Sequence, residues 1–177
     1  MSVQWIFNEP FSFNDEKFAK IFRFFVIEPP VEKTSNRATT IEAYGWTSRK
    51  ITNVLKKNIS SLNKNWKIVL ARDRSNLEEI EQDVTLLCRK NEILEEVAER
   101  REIFIHTNMK NSKTKSLIYS IRCAFAHGAF NKKNCFGEQF YFFENKDRGK
   151  LKGRIVVKED TLLKIIDIIQ NYDKYNI

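Results

Sequence analysis

The apolar positions of this chain follow a helical rhythm near the start, in the middle and at the end, with strand-like runs between them. Asn14-Asp15-Glu16 precede Phe18, Ala19, Ile21, Phe22 and Phe25, a spacing that predicts a capped helix stopped by Pro29-Pro30. Residues 31–45 read as a polar loop. A helical pattern begins near Thr39 and is clearest from Thr47 to Ser60, where Ile51, Val54, Leu55 and Ile59 share one face. Trp66-Lys-Ile-Val-Leu-Ala71 is short, β-branched and bounded by polar residues, and predicts a strand. Ser75 then caps a predicted long helix, or two helices with a break near Asn91, whose stripe runs from Leu77 to Ile103 and ends near Thr107.

After a turn at 108–112, Leu117, Ile118, Ile121, Ala124 and Phe125 form the stripe of a central helix that begins near Lys113. Gly128 stands where a left-handed cap ends such a helix. Asn131-Lys-Lys-Asn134 reads as a loop. Two alternating runs, 139–144 and 151–157, are joined by the turn-rich 145–149 and predict a β-hairpin that makes a small three-stranded sheet with 66–71. Leu162, Leu163, Ile165, Ile166 and Ile169 predict a closing helix from Glu159 or Asp160 to about Tyr172. Residues 1–74 are expected to pack on a core formed by 75–177, within a single domain.

Charge changes the picture more than composition does. A net charge of +8 favours an anionic partner, with nucleic acid first. The positive charge is not spread evenly. No carboxylate lies between Glu102 and Glu138, while the segment from Arg49 to Arg74 holds eight basic residues and one acid. Docking of 47–75 on DNA is one reading of that second region, although it lacks a helix-turn-helix pattern. The three cysteines form no Cys-x-x-Cys pair, and only two histidines are present. Both observations argue against a zinc site and a disulfide framework. No apolar run is long enough to span a bilayer and the first residues do not form a signal peptide, so the expectation is a cytoplasmic protein without a membrane partner, metal or cofactor.

Within the acid-free stretch sit Arg122 and His127. Cleaving RNA without a metal requires a base for the 2′-hydroxyl, an acid for the leaving 5′-oxygen and a cation on the transition state. Histidine suits the first two roles and arginine the third. Five residues along a helix place the two side chains about 140° apart, so one helix offers half a site. Two copies meeting across a two-fold axis supply both acid and base. The spacing alone is weak evidence, since Arg101 and His106 repeat it in an acidic segment. On the residues alone, a His127 that only caps its helix and an Arg122 paired with a glutamate of 77–107 fit as well.

Ile121-Arg-Cys-Ala-Phe-Ala-His-Gly-Ala-Phe130, with 141–145, 149–157 and an amphipathic helix after it, resembles the HEPN superfamily and its Arg-x(4–6)-His signature. The resemblance covers roughly 75–177. It implies a mainly α fold, a HEPN-like helical bundle with a small β-hairpin or three-stranded sheet annex. It also implies a homodimer through 113–128, with Arg122 and His127 catalytic and Lys113, Lys115, Lys132 and Lys133 as RNA-binding lysines. The activity implied is a metal-independent endoribonuclease acting as a toxin or in phage defence, alongside an antitoxin or regulatory partner. The alternative is a non-catalytic RNA- or nucleotide-binding module. Cys123 replaces a residue that is commonly asparagine, and Ala129 replaces the tyrosine of members controlled by nucleotidyltransferase antitoxins.

Overall fold

In the computed structural model, which describes residues 15–60, 62, 66–69, 102–107, 112–135 and 137–176, the first ordered feature is a helix cap. The Asp15 carboxylate accepts from the backbone N–H groups of Lys17 and Phe18, satisfying donors that the helix cannot. It starts α1 (Glu16–Phe22), which widens into a π-helical turn at Arg23–Ile27 closed by Glu28 N–H on the Arg23 carbonyl at 2.8 Å. Phe24 and Phe25 are both buried there. A single 3₁₀ turn spans Glu42–Tyr44, and Thr47 caps α2 (Ser48–Asn58). These elements follow the apolar spacing closely.

The strands do not. The expectation of a mainly α, HEPN-like bundle with a small annex is overturned by a five-stranded mixed sheet, ordered β1-β2-β5-β4-β3. β1 (Trp66–Val69) runs parallel to β2 (Ile103–Thr107), and β2, β5 (Lys150–Lys158), β4 (Glu138–Asp147) and β3 (Phe130–Cys135) are antiparallel neighbours. Three expectations fail with it. The end of the predicted 77–107 helix is the interior strand β2. The predicted 131–134 loop is edge strand β3. Strand β1 joins the sheet through β2 rather than pairing with the hairpin. The Ser75 cap and the helical stretch before residue 102 lie outside the described residues.

The β4–β5 hairpin is present and longer than expected, closed by Arg148 and Gly149, both at positive φ. A two-residue turn of this kind matches the strand twist. The runs Phe140-Tyr-Phe-Phe143 and Ile155-Val-Val157 are buried at every position. They are therefore strands covered on both faces, not half-exposed alternating ones.

On one face lie α3 (Lys113–Ala126) and α4 (Glu159–Gln170), with α1 and α2 packed against them; α5 (Tyr172–Tyr175) closes the chain. One apolar cluster joins Phe18, Ile21 and Phe25 to Leu117, Ile121, Tyr141, Ile155, Ile165 and Ile169. The Phe125 ring lies at its centre, within 4.6–6.5 Å centroid distance of Phe18, Phe22, Phe130, Tyr141 and Phe143. Trp46 donates its Nε1–H to the Ile169 carbonyl at 2.9 Å, fastening the chain before α2 to the end of α4.

Charges fasten the same layers. Lys132 on β3 pairs with Asp15 and, at 2.9 Å, with Glu159 at the start of α4, which also accepts from the Tyr141 hydroxyl at 3.2 Å and meets Lys17 at 3.6 Å. The Lys132 hydrogen bond holds the Asp15 carboxyl below its ordinary value. Burial opposes charge on Lys132, but Asp15 and Glu159 outweigh it and hold the ammonium above its usual value. Burial raises the Tyr141 phenol, and the charge of Glu159 adds to that.

Three substitutions test this packing. Because its folded pKa is lowered, Asp15 stabilises above its unfolded value of 3.8 and loses that contribution as pH falls through the folded value. Asp15→Asn should flatten the acid limb of Tm against pH below about pH 4, and Lys132→Ala should cost about 3 kcal/mol in denaturant unfolding by stranding buried Glu159. At Gly153, an added Cβ would stand 2.9 Å from His106 Cβ and 3.2 Å from the Ile105 carbonyl. Gly153→Ala should cost about 1–3 kcal/mol by the same measurement.

Candidate functional site

The central helix ends as its sequence requires. His127 occupies the C-cap, Gly128 follows at φ +64°, and the Gly128 and Ala129 N–H groups return to the carbonyls of Phe125 and Ala124 at 3.1 and 2.8 Å. This is a Schellman closure, which needs the left-handed conformation that glycine adopts without strain. It leaves His127 exposed at the C-terminal end of α3. The other histidine, His106, lies fully buried on β2.

Arg122 is half-buried. Its Nη2 donates to the Thr34 carbonyl at 2.7 Å, and its buried Nε has no hydrogen-bond partner among the described residues. No described carboxylate pairs with it. The contact holds the 28–37 loop against α3, and that loop is also tied by Ser35 Oγ on the Ile27 carbonyl and Thr34 Oγ1 on the Val31 carbonyl, each at 2.6 Å.

The four predicted RNA-binding lysines separate in space. Lys113 is exposed on the first turn of α3, and Lys133 is exposed on β3. Lys115 is held by Glu42 at 3.0 and 3.1 Å. Lys132 belongs to the buried cluster with Asp15 and Glu159. A stretch free of acids along the sequence is thus supplied with acids by the fold.

Two side chains near Arg122 carried little sequence signal. Tyr119 is 40% exposed, one of the two large hydrophobic residues most open to solvent among the described residues. It stands four residues before buried Cys123 and eight before His127, on one slowly turning ridge of α3. The hydrogen bond and charge of Cys123 raise its phenol above the ordinary value, burial and Asp147 add to this, and Arg122 opposes it. The only available signal was this i, i+4, i+8 spacing.

A separate open cleft of about 570 Å³ is lined by Glu28, Arg37, Thr39, Ala43 and Tyr44. Neither Arg122 nor His127 lines it. Among the described residues there is no cluster of His, Cys, Asp or Glu able to hold a metal ion, and no helix long and apolar enough to cross a membrane. No family model, curated protein or solved structure matches the chain.

If Arg122 secures the loop as described, Arg122→Ala should speed tryptic cleavage after Lys33 and Arg37. It should also lower stability by about 1.5–3 kcal/mol, the scale of a charged hydrogen bond.

Proposed function

We propose that the protein is a metal-independent endoribonuclease of the cytoplasm, acting at the His127 end of α3 in a site completed by a second copy of the chain. The observation that carries this reading is the contrast between the histidines. His127 is exposed at a helix C-terminus, whereas His106 is sealed in the sheet. One chain therefore offers one usable imidazole, and a base and an acid of that type require two chains. Exposed Ala126 is small and leaves room beside His127 for a second helix.

In this scheme one imidazole takes the proton of a 2′-hydroxyl, whose oxygen attacks the adjacent phosphorus. Arg122, with Nη2 held by Thr34, turns its remaining donors to the phosphorane-like charge. The partner's imidazolium protonates the departing 5′-oxygen. The products are a 2′,3′-cyclic phosphate and a 5′-hydroxyl end, and DNA lacks the attacking group. Kinship with HEPN proteins rests on the 121–130 motif alone, because the helical bundle implied by that resemblance is not the fold of this chain. A second reading, a non-catalytic RNA- or nucleotide-binding module, is favoured by the commitment of one Arg122 nitrogen to a loop carbonyl.

The test is RNA cleavage in excess EDTA. Wild type should yield cyclic-phosphate ends, and His127→Ala should cut about 10²–10⁴-fold more slowly at unchanged Tm. Equal rates for the two proteins, or no cleavage by either, would exclude the catalytic reading.

A further inference from the structure

Helix α2 carries Arg49, Lys50, Lys56 and Lys57 and no acidic residue between Ser48 and Asn58. At 100° per residue these four cations, with Asn53 and Ser60, fall within an arc of about 120°. The opposite side, Ile51, Leu55 and Ile59, is buried in the core. Arg49, Lys56 and Lys57 make no ion pair among the described residues, and Lys50 lies 5.7 Å above the Tyr172 ring. By contrast, Lys115, Lys132, Lys158 and Lys174 each hold a carboxylate.

The arc adjoins α3. Thr52 Oγ1 and Thr114 Oγ1 are 2.9 Å apart, and one helical turn beyond Thr52 lies Lys56, while exposed Lys113 immediately precedes Thr114. From Lys113 the solvent side of α3 continues through Tyr119 and Arg122 to His127, about 20 Å along the axis at 1.5 Å per residue. Cations followed by an exposed aromatic ring are the parts of a single-strand track, where phosphates meet lysines and a base stacks on a ring.

We propose that the outer face of α2 is an accessory site for the backbone of single-stranded RNA whose scissile phosphate lies at His127. The identity of the ligand rests on the ribonuclease reading. The geometry of the face does not. Its apolar side is occupied by the core, so α2 has none to insert into a lipid surface. The exposed Tyr119 ring favours unpaired bases over a stacked duplex.

The measurement is fluorescence anisotropy of a single-stranded RNA of about 12 nucleotides, within the range of single-strand site sizes, on the full chain across a salt series. Wild type is compared with Arg49→Gln/Lys50→Gln/Lys56→Gln/Lys57→Gln and with the milder Lys56→Gln/Lys57→Gln. The fourfold variant should bind at least tenfold more weakly, with its log–log salt slope reduced by up to about 3, or about 0.7 per lost phosphate contact. The double variant should fall between, and both should keep the wild-type Tm. Unchanged affinity and slope would overturn the proposal, as would tighter binding to duplex DNA of the same length or to phosphatidylserine vesicles. RNA bound in this manner but never cut sinks the ribonuclease reading alone. Cleavage by a protein whose affinity ignores the α2 charges sinks the accessory site alone.

Discussion

One ammonium group joins three elements that are distant in the chain. Lys132 lies between Asp15, which caps α1, and Glu159, the first residue of α4, so two helix starts point carboxylates at the same spot. Each acid sits where its own helix dipole favours negative charge, and the lysine removes the repulsion between them. Buried charges are tolerated only when paired and hydrogen-bonded in this way, and Tyr141 supplies a further bond to Glu159. Glu102, just before β2, completes the arrangement by accepting the Lys158 N–H at 2.7 Å, next to the same helix start. With these ends fixed, α3 has one place to lie, and His127 is carried to its position by the closure that follows Phe125.

What could be read in the sequence was the local part. The Asp15 cap, the stripe of α2, the stop at Gly128, the hairpin and the last helix all depend on residues within a few positions of one another. β2 was hidden because Ile103, Phe104 and Ile105 continue an acidic helical pattern, while the fold buries all three between strands. β3 was hidden because Asn131-Lys-Lys-Asn134 is as polar as a loop. Its Lys132 points inward only because carboxylates elsewhere in the chain meet it. Parallel pairing of β1 with β2 is likewise a long-range event that no local pattern announces.

The candidate site shows the same division. Its helix, its stop and the exposure of His127 follow from spacing. The charge around it does not, since Glu42 reaches Lys115 across 73 positions and Asp15 reaches Lys132 across 117. Basic residues counted along a chain overstate the free positive surface, because folding neutralises those that carboxylates can reach. On α2, Arg49, Lys56 and Lys57 pair with no carboxylate among the described residues, and the helix has no acids of its own.

The clamp at Asp15 also sets a schedule. Three packing partners of α1, namely α3, β3 and α4, lie beyond residue 112. During synthesis at about 5–20 residues per second, Lys132 follows Asp15 by roughly 6–23 seconds. Through that interval Phe18 lacks the Phe125 and Phe130 rings that lie beside it in the folded chain. The docking of α1 therefore waits until α4 has been made, 144 residues after Asp15 caps the first helix.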